Sequence, residues 1–200
     1  MATPIEFYFD FTSPYGYLAS ERIEALAAKF NRDVNWHAIL LGAIFKEIGT
    51  VPLMNIPLKG DYSKHDMARS ARLMSIPFSL PTDFPKATVA AARGFYWIRK
   101  QDPAQAKAFA QQVFRAYFNE DRDITSPEVI IAIANHVGID ANVFSAALQD
   151  STVKEKLKTA NDQAIARGVF GSPFFFVDNE PFWGTDRLPQ IQRWLEIGGF

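Results

Sequence analysis

The sequence predicts an α/β protein in which both ends of the chain build one sheet and a block of helices lies between them. Near the N-terminus, residues 5–10 (IEFYFD) and 33–41 (DVNWHAILL) are short, apolar and β-prone, and a helical pattern over 13–30 separates them. A strand, a helix and a second strand in this order favour parallel pairing through a right-handed crossover. After about residue 168 the chain returns to strand-like runs, whereas helical periods dominate between.

The middle of the chain begins with a loop-rich stretch over 49–61, which contains Pro52, Pro57 and Gly60. Five or six helical segments follow, at about 63–75, 86–100, 103–119, 126–137, 140–149 and 151–168. Two of them start with a capping side chain directly before a proline, at Asp102 and at Ser126. These starts make the helical character of the middle block the clearest local signal in the chain.

The C-terminal part begins with the β-prone run FFFV at 174–177, and the DNE turn that follows allows residues 181–183 to pair back as a hairpin. A final helix is predicted over 187–198, with Thr185 or Asp186 as its cap. The element order β-α-β, helices, β-β-α is the thioredoxin-like arrangement with a helical insertion. We therefore expect a discontinuous thioredoxin-like domain over 1–60 and 168–200, and an inserted all-helical domain over 61–167.

The composition excludes several classes of function. The 200 residues carry a net charge of −1, which gives no field favouring nucleic acid or anionic lipid. The absence of cysteine rules out disulfides, thiolate metal sites and a protein-thiol nucleophile, and the three scattered histidines make a metal site unexpected. Because neither a signal peptide nor a membrane span is visible, we expect a cytoplasmic protein.

The stretch Thr12-Ser13-Pro14-Tyr15 stands at a strand-to-helix junction, where many redox proteins carry Cys-x-x-Cys. A helix N-terminus presents unpaired N–H groups and a partial positive charge, which stabilise an anion placed there. Ser13 is a poor nucleophile by itself, but its hydroxyl can donate a hydrogen bond to a thiolate that a ligand brings. The alternative is that Ser13 is only a helix cap.

Two C-terminal stretches can complement Ser13. Pro173 directly before a buried strand suits a strand's first residue, and the backbone of Ser172 can then pair with an extended peptide-like ligand. Further on, Asp186 can take a ligand ammonium and Arg187 a carboxylate, beside Thr185. The alternatives are a turn proline and a simple capping motif. Taken together, the three stretches define a site for glutathione.

The same stretches resemble the kappa-class glutathione transferase family, and within it the 2-hydroxychromene-2-carboxylate isomerases. The resemblance covers essentially the whole chain. It is carried by FYFDFTSPYGYLA at the start, PLKGDY at 57–62, IPFSLPTDFP at 76–85, NEDRDIT at 119–125 and GVFGSPFFFVDNEPFWGTDRL at 168–188. It implies a DsbA-type thioredoxin domain with a helical insertion, glutathione as cofactor and a homodimer.

The resemblance also implies residue roles. The family's catalytic serine falls on Ser13, and its glutathione contacts fall on Lys59, Ser172, Pro173, Thr185, Asp186 and Arg187, together with Ser13 itself. Its substrate contacts fall near Phe45, Asn55 and Phe84, where a known isomerase carries Tyr in place of Phe84. The substrate carboxylate needs a cation, for which Lys59 and Arg93 are candidates.

The implied reaction interconverts 2-hydroxychromene-2-carboxylate and trans-o-hydroxybenzylidenepyruvate, in the catabolism of naphthalene-type aromatic compounds. The glutathione thiolate adds reversibly to the ring-opened substrate, so that a former double bond can rotate. One alternative in the same fold is a kappa-class glutathione transferase or peroxidase that acts on other electrophiles. Another is a non-catalytic, peptide-binding thioredoxin relative, whereas a disulfide oxidoreductase is excluded because the chain lacks cysteine.

Overall fold

The fold is built on a four-stranded sheet that joins the two ends of the chain, as seen in a computed structural model that describes residues 3–200. Its strands are β1 (Ile5–Phe9), β2 (Val34–Ala38), β3 (Phe174–Val177) and β4 (Glu180–Trp183), in the spatial order β2-β1-β3-β4. β1 is parallel to β2 and antiparallel to β3, so that Phe7 lies between Trp36 and Phe175. The predicted α/β fold with one shared sheet is thus confirmed.

Ten α-helices surround this sheet within residues 3–200. They are α1 (Pro14–Ser20), α2 (Ile23–Ala28), α3 (Leu41–Ile48), α4 (Lys59–Leu73), α5 (Val89–Gln101), α6 (Pro103–Phe118), α7 (Pro127–His136), α8 (Ala141–Gln149), α9 (Ser151–Ala166) and α10 (Leu188–Ile197). Two short 3₁₀ turns, Leu53–Asn55 and Thr185–Arg187, precede α4 and α10. None of the helices in the described part of the chain is long and apolar enough to cross a membrane.

The single helix predicted over 13–30 is wrong, because the structure breaks it into α1 and α2. Arg22 leaves the helical region at φ −124°, and the hydroxyl of Ser20 bonds to the carbonyl of Tyr17 at 2.7 Å. Between them, the carboxylate of Glu21 accepts two hydrogen bonds of 2.8 Å from Arg115 on α6. This break is accompanied by a tertiary ion pair, which helical periodicity does not reveal.

The strand predicted over 33–41 ends early, at Ala38, and α3 follows where no helix was predicted. The backbone N–H of Leu40 donates to Asn161 Oδ1 at 2.8 Å, and that of Leu41 donates to Asp10 Oδ2 at 2.7 Å. These two side chains from distant parts of the chain satisfy the N–H groups at the start of α3, so the helix needs no local cap.

Helix caps divide into confirmed and wrong predictions. Ser13, Asp102 and Ser126 accept hydrogen bonds from the first turns of α1, α6 and α7, as predicted. The predicted cap of the last helix is wrong: within residues 3–200 no side chain caps α10, and the segment before it forms a 3₁₀ turn. The hydroxyl of Thr185 donates instead to the carbonyl of Tyr15, which ties this turn to α1.

The sheet separates two apolar clusters in the described part of the chain. The larger one packs Phe7, Phe9 and Trp36 against the helices, and Phe9 meets Phe95 and Phe114 with ring centroids 5.3 and 5.6 Å apart. The smaller one lies on the opposite face, under α3 and the end of α9. The larger cluster includes residues from both predicted domains, so packing does not separate them. The division into 1–60 with 168–200 and an inserted 61–167 remains a prediction.

Candidate functional site

Ser13 lies where β1 turns into α1 and is held from two sides. Its Oγ accepts a hydrogen bond from the Gly16 N–H at 3.0 Å and donates one to the carbonyl oxygen of Ser172 at 2.8 Å. The residue is only 5% exposed, yet it lines a large cleft. The hydroxyl therefore stands at the positive end of α1 and next to the segment that leads into β3.

The Ser172–Pro173 peptide bond is cis. The Ser172 hydroxyl accepts a hydrogen bond from the Asp10 N–H at 3.0 Å, and the carbonyl of Pro173 accepts one from the Gly184 N–H at 3.0 Å. Within residues 3–200 the N–H of Ser172 has no hydrogen-bond partner. An extended peptide can pair with this free donor as an added strand does.

Glycine at position 16 lets the first turn of α1 approach this loop closely. A Cβ there would lie 2.8 Å from the Ser172 Oγ and 3.1 Å from the Ser13 Cβ, closer than normal packing allows. The small residue keeps the two serines within hydrogen-bonding distance of each other. A larger residue at position 16 would require the Ser172 side chain or the first turn of α1 to shift.

Asp186 and Arg187 form the third predicted stretch, at the rim of the same cleft. Arg187 Nη2 lies 3.4 Å from Asp186 Oδ2, and the side chain of Asp186 is exposed whereas that of Arg187 is partly buried. Gly184 has φ +109°, a conformation that favours glycine, and it brings the chain from β4 into the turn that carries these charges. Both signs of charge are therefore available to a ligand that has an ammonium and carboxylates.

The cleft has a volume of about 1400 Å³, which is larger than a typical small-molecule site of roughly 300–1,000 Å³. Its walls are largely apolar and come from α3, the 3₁₀ turn before α4, α4 itself and the loop before α5. Of the predicted site residues, those that line it are Ser13, Phe45, Phe84, Ser172, Pro173, Thr185, Asp186 and Arg187. The cleft thus has room for a tripeptide and a second, aromatic molecule.

The structure does not bring every predicted residue to this cleft. Lys59, the first residue of α4, and Asn55, at the end of the 3₁₀ turn, are both exposed, and in the described structure neither lines the cleft. Arg93 on α5 is also absent from the lining formed by residues 3–200, and its Nε is buried. The roles of these three residues therefore stay predictions.

Asp10 is a cleft-lining residue that sequence reasoning missed. It is 2% exposed, and its carboxylate accepts hydrogen bonds from the Thr12 N–H (3.0 Å), the Leu41 N–H (2.7 Å) and the Thr88 hydroxyl (2.6 Å). Burial raises the pKa of Asp10, although these three donors favour its ionised form. The feature of the sequence that could have revealed Asp10 is an acidic residue at the end of a predicted buried strand, close to Ser13.

A second missed group joins α1 to α4 across the cleft. The Tyr15 hydroxyl donates to Asp66 Oδ2 at 2.6 Å, and the other oxygen of Asp66 accepts from Arg69. Burial and the bond to Asp66 raise the pKa of Tyr15. Although burial opposes it, the hydrogen bonds from Tyr15 and Arg69 lower the pKa of Asp66. Tyr15 is therefore a neutral donor that holds α4 beside α1.

No metal centre accompanies these groups: residues 3–200 contain no cluster of three or more His, Cys, Asp or Glu side chains that could hold a metal ion. The groups next to Ser13 are a helix N-terminus, a serine hydroxyl and a free backbone edge, and the rim of the cleft adds the Asp186–Arg187 ion pair. The N–H groups at the start of a helix and a hydroxyl are donors that an anion can accept hydrogen bonds from.

The chain is similar to known proteins over most of its length. A family model for the DsbA-like thioredoxin domain matches residues 4–196. The chain is 33% identical over 190 residues to 2-hydroxychromene-2-carboxylate isomerase of Pseudomonas putida, a match that covers 94% of this chain and 92% of that protein. It is 26% identical over 208 residues to glutathione S-transferase kappa 1 of Rattus norvegicus, which covers 96% of this chain and 90% of the relative.

A solved structure of a 2-hydroxychromene-2-carboxylate isomerase is similar to this one in fold. The two superimpose with a TM-score of 0.87 at 31% identity, over 96% of this chain and 94% of the other. The similarity therefore extends through the helical middle of the chain as well as the sheet. The strand order, the cis-proline loop and the family match lead to one conclusion: the chain belongs to the DsbA-like thioredoxin-domain family.

Proposed function

We propose that this protein is a glutathione-dependent isomerase that interconverts 2-hydroxychromene-2-carboxylate and trans-o-hydroxybenzylidenepyruvate, in the catabolism of naphthalene-type aromatic compounds. The observation that carries the proposal is the Ser13 hydroxyl at the tip of α1, facing the backbone of Ser172 in an apolar cleft. The isomerase relatives at about one-third identity support the reaction. The kappa-class relatives support glutathione as the cofactor.

The residues at the cleft fit a glutathione molecule. The free N–H of Ser172 beside cis-Pro173 would pair with the peptide backbone of the ligand. Asp186 and Arg187 would hold its charged ends, next to Thr185, and Lys59 would join them by extending toward the cleft. When bound, glutathione would supply a thiolate that adds reversibly to the conjugated double bond of the substrate and so permits rotation.

Ser13 would act by stabilising the ionised thiol. Its proton now lies toward the Ser172 carbonyl, and a rotation about the Cβ–Oγ bond would direct it into the cleft while Oγ still caps α1. The N-terminal N–H groups of α1 would add to this stabilisation. The apolar walls at Phe45 and Phe84 would hold the aromatic ring of the substrate. Asn55, which lies outside this lining in residues 3–200, is the third predicted contact.

The proposal is tested by titrating the protein with glutathione and following thiolate absorbance in the ultraviolet as a function of pH. We expect the thiol pKa of the bound tripeptide to fall below the ordinary value of about 8.5. Ser13→Ala should raise that pKa again and lower turnover of the chromene carboxylate by at least roughly tenfold, since it removes a charge-assisted hydrogen bond.

Ser126→Ala is the matched control, because Ser126 caps α7 in the same Ser-Pro context and does not line the cleft in residues 3–200. Both variants should lose about 1 kcal/mol of folding stability through the lost cap. Only Ser13→Ala should change the thiol pKa. If Ser13→Ala keeps full turnover and an unchanged thiol pKa, the proposed role of Ser13 is wrong.

A kappa-class transferase or peroxidase is the second candidate, and the rat transferase relative favours it. Assays with halo-aromatic compounds and hydroperoxides, run beside the chromene carboxylate, distinguish the two by relative kcat/KM. A non-catalytic peptide-binding protein would show neither activity and no glutathione binding below millimolar concentration. We also propose a cytoplasmic homodimer, whose mass in solution light scattering would measure.

A further inference from the structure

The proposed substrate carries a carboxylate, and a partly desolvated carboxylate requires a cation or several donors in its site. Among residues 3–200, four cationic side chains line the cleft: Arg22, Lys29, Lys86 and Arg187. Neither Lys59 nor Arg93, the cations expected for this role from the sequence, is among them. The positions of these four cations decide which of them can bind the substrate carboxylate; the inference rests on the proposed function.

Three of the four cations are poorly placed for a substrate next to Ser13. Arg187 lies beside Asp186, where glutathione is proposed to bind. Arg22 donates to the carbonyl of Met74, which ties its guanidinium to the end of α4. Lys29 follows the end of α2, beyond the break that separates α2 from α1.

Lys86 lies close to the reacting end of the cleft. Two residues further on, the Thr88 hydroxyl donates to Asp10 at 2.6 Å. Asp10 is joined to Ser13 by a 2.9 Å backbone hydrogen bond and to Ser172 by a 3.0 Å bond. Because two residues of chain span at most about 7 Å, the backbone of Lys86 lies near this cluster. Phe84 and Thr88, which precede and follow Lys86 by two residues, line the cleft together with it.

The loop that carries Lys86 is held firmly at several points. The Ser79 N–H donates to the carbonyl of Phe118 at 2.7 Å, and the Tyr117 hydroxyl donates to the carbonyl of Asp83 at 3.0 Å. Thr88 anchors the other end on buried Asp10. A cation on such a loop is positioned before the ligand arrives, which lowers the entropy cost of binding.

The Lys86 ammonium faces Asp83, with Asp123 nearby, in this structure. The Asp83 side chain is 78% exposed, whereas that of Lys86 is only 24% exposed. An ion pair to so exposed a carboxylate contributes little, because water solvates the acid well. A substrate carboxylate in the less hydrated cleft can therefore replace Asp83 as the partner of the ammonium.

We propose that Lys86 binds the carboxylate of the aromatic substrate and so selects anionic substrates for the Ser13 site. The test is steady-state kinetics of Lys86→Gln with 2-hydroxychromene-2-carboxylate and with the corresponding carboxamide. We expect KM for the carboxylate to rise about tenfold, with a much smaller change for the carboxamide. Lys86→Arg should restore most of the loss, and Asp83→Asn should lower KM for the carboxylate.

The control is Lys158→Gln, which removes an equally charged lysine from an exposed pair with Asp162 away from the cleft. It should leave both substrates unaffected. The inference is overturned if Lys86→Gln changes neither KM, or changes both substrates equally. If either result is found while the unaltered protein binds glutathione and turns over the substrate normally, only the role of Lys86 is refuted and the proposed function is unaffected. Absence of both in the unaltered protein would refute the proposed function itself.

Discussion

At the scale of single residues, two adjacent hydroxyls at the start of α1 have opposite environments. Ser13 Oγ has both a donor and an acceptor partner. Thr12 Oγ1 is buried and has no hydrogen-bond partner within residues 3–200. A buried hydroxyl without a partner costs about 1–3 kcal/mol of folding stability relative to one that is satisfied. The fold therefore carries a local energetic cost directly beside its candidate active-site residue.

Replacing Thr12 by valine should remove this cost. Because valine has nearly the same shape and no polar atom, we expect Thr12→Val to stabilise the protein by about 1 kcal/mol. Thr88→Val is the matched control, since the Thr88 hydroxyl donates to the buried Asp10 carboxylate, and it should destabilise the protein by about 1.5–3 kcal/mol. Urea unfolding of both variants measures the two free energies, and equal signs would contradict this account.

At the scale of elements, glycines in helices meet very different surroundings. A Cβ on Gly94 of α5 would lie 2.5 Å from the Cζ atom of Phe144 on α8. A Cβ on Gly42, near the start of α3, would meet no atom within 4 Å in the described structure. The first glycine allows close helix packing, and the second only adds freedom to the unfolded chain.

The same substitution should therefore have opposite effects at these two sites. We expect Gly94→Ala to destabilise the protein by about 1–3 kcal/mol through overpacking. Gly42→Ala should stabilise it by about 0.5–1 kcal/mol, because alanine loses less entropy in a helix. Thermal unfolding of the two variants in parallel provides the measurement. Stabilisation by Gly94→Ala would mean that Phe144 moves aside more easily than the packing indicates.

Across the sheet from the larger apolar cluster, strands β1 and β2 carry a half-buried polar group. His37 Nε2 bonds to Glu6, and its Nδ1 lies 3.4 Å from Arg99 Nη1. The ring of Tyr8 stacks on the imidazole at 4.5 Å, and Arg167 donates to the Tyr8 hydroxyl at 3.1 Å. Burial lowers the pKa of His37, and Arg99 and Arg167 add to this effect while Glu6 opposes it.

This lowered pKa predicts a loss of stability in mild acid. Below the ordinary value of 6.5 the unfolded chain binds a proton at His37 that the folded protein does not, so the free energy of unfolding falls as pH falls. The slope attributable to His37 is at most about 1.4 kcal/mol per pH unit. It begins near pH 6.5 and ends at the lower folded pKa.

Urea unfolding of the native protein and of His37→Gln between pH 5 and pH 7.5 isolates the contribution of this histidine. The difference in slope between the two proteins should disappear above pH 7.5, where the imidazole is neutral in both states. Glu6 stays ionised throughout this range because, although burial opposes it, its bonds to His37 and Asn35 lower its pKa below 4.5. A slope unchanged by His37→Gln would show that other groups control the response.

At the scale of the whole molecule, the larger aromatic cluster connects the sheet with the helical block. Phe9 and Phe11 of the N-terminal segment both contact Phe114 on α6, with centroids 5.6 and 5.2 Å apart. The rings of Phe114 and Tyr17 lie 6.0 Å apart. Since both predicted domains share these contacts, we expect them to unfold together although one is an insertion in the other.

Calorimetry tests this expectation. The calorimetric and van't Hoff enthalpies should agree, which indicates a single cooperative transition. Phe114→Ala should lower stability by about 3–5 kcal/mol without splitting that transition, because the cavity weakens both parts at once. Two separate transitions, in the native protein or in the variant, would support an inserted domain that folds on its own.

The sequence by itself determined the elements whose causes are local. The apolar runs of β1 and β3, the caps Ser13, Asp102 and Ser126, and the three stretches that meet at the cleft could all be predicted, since periodicity and caps involve atoms a few residues apart. The break after Ser20 could not, because it accompanies an ion pair to a residue far along the chain.

Tertiary structure decided how these elements combine into a site. Asp10 gathers donors from residues 12, 41 and 88, and thereby positions the start of α3 and the loop of Lys86 beside Ser13. The tertiary structure also places Lys59 and Asn55 outside the cleft lining of the described chain. Which distant residues a side chain contacts depends on how the sheet and the helices pack against one another. Charge or spacing along the chain does not specify that packing.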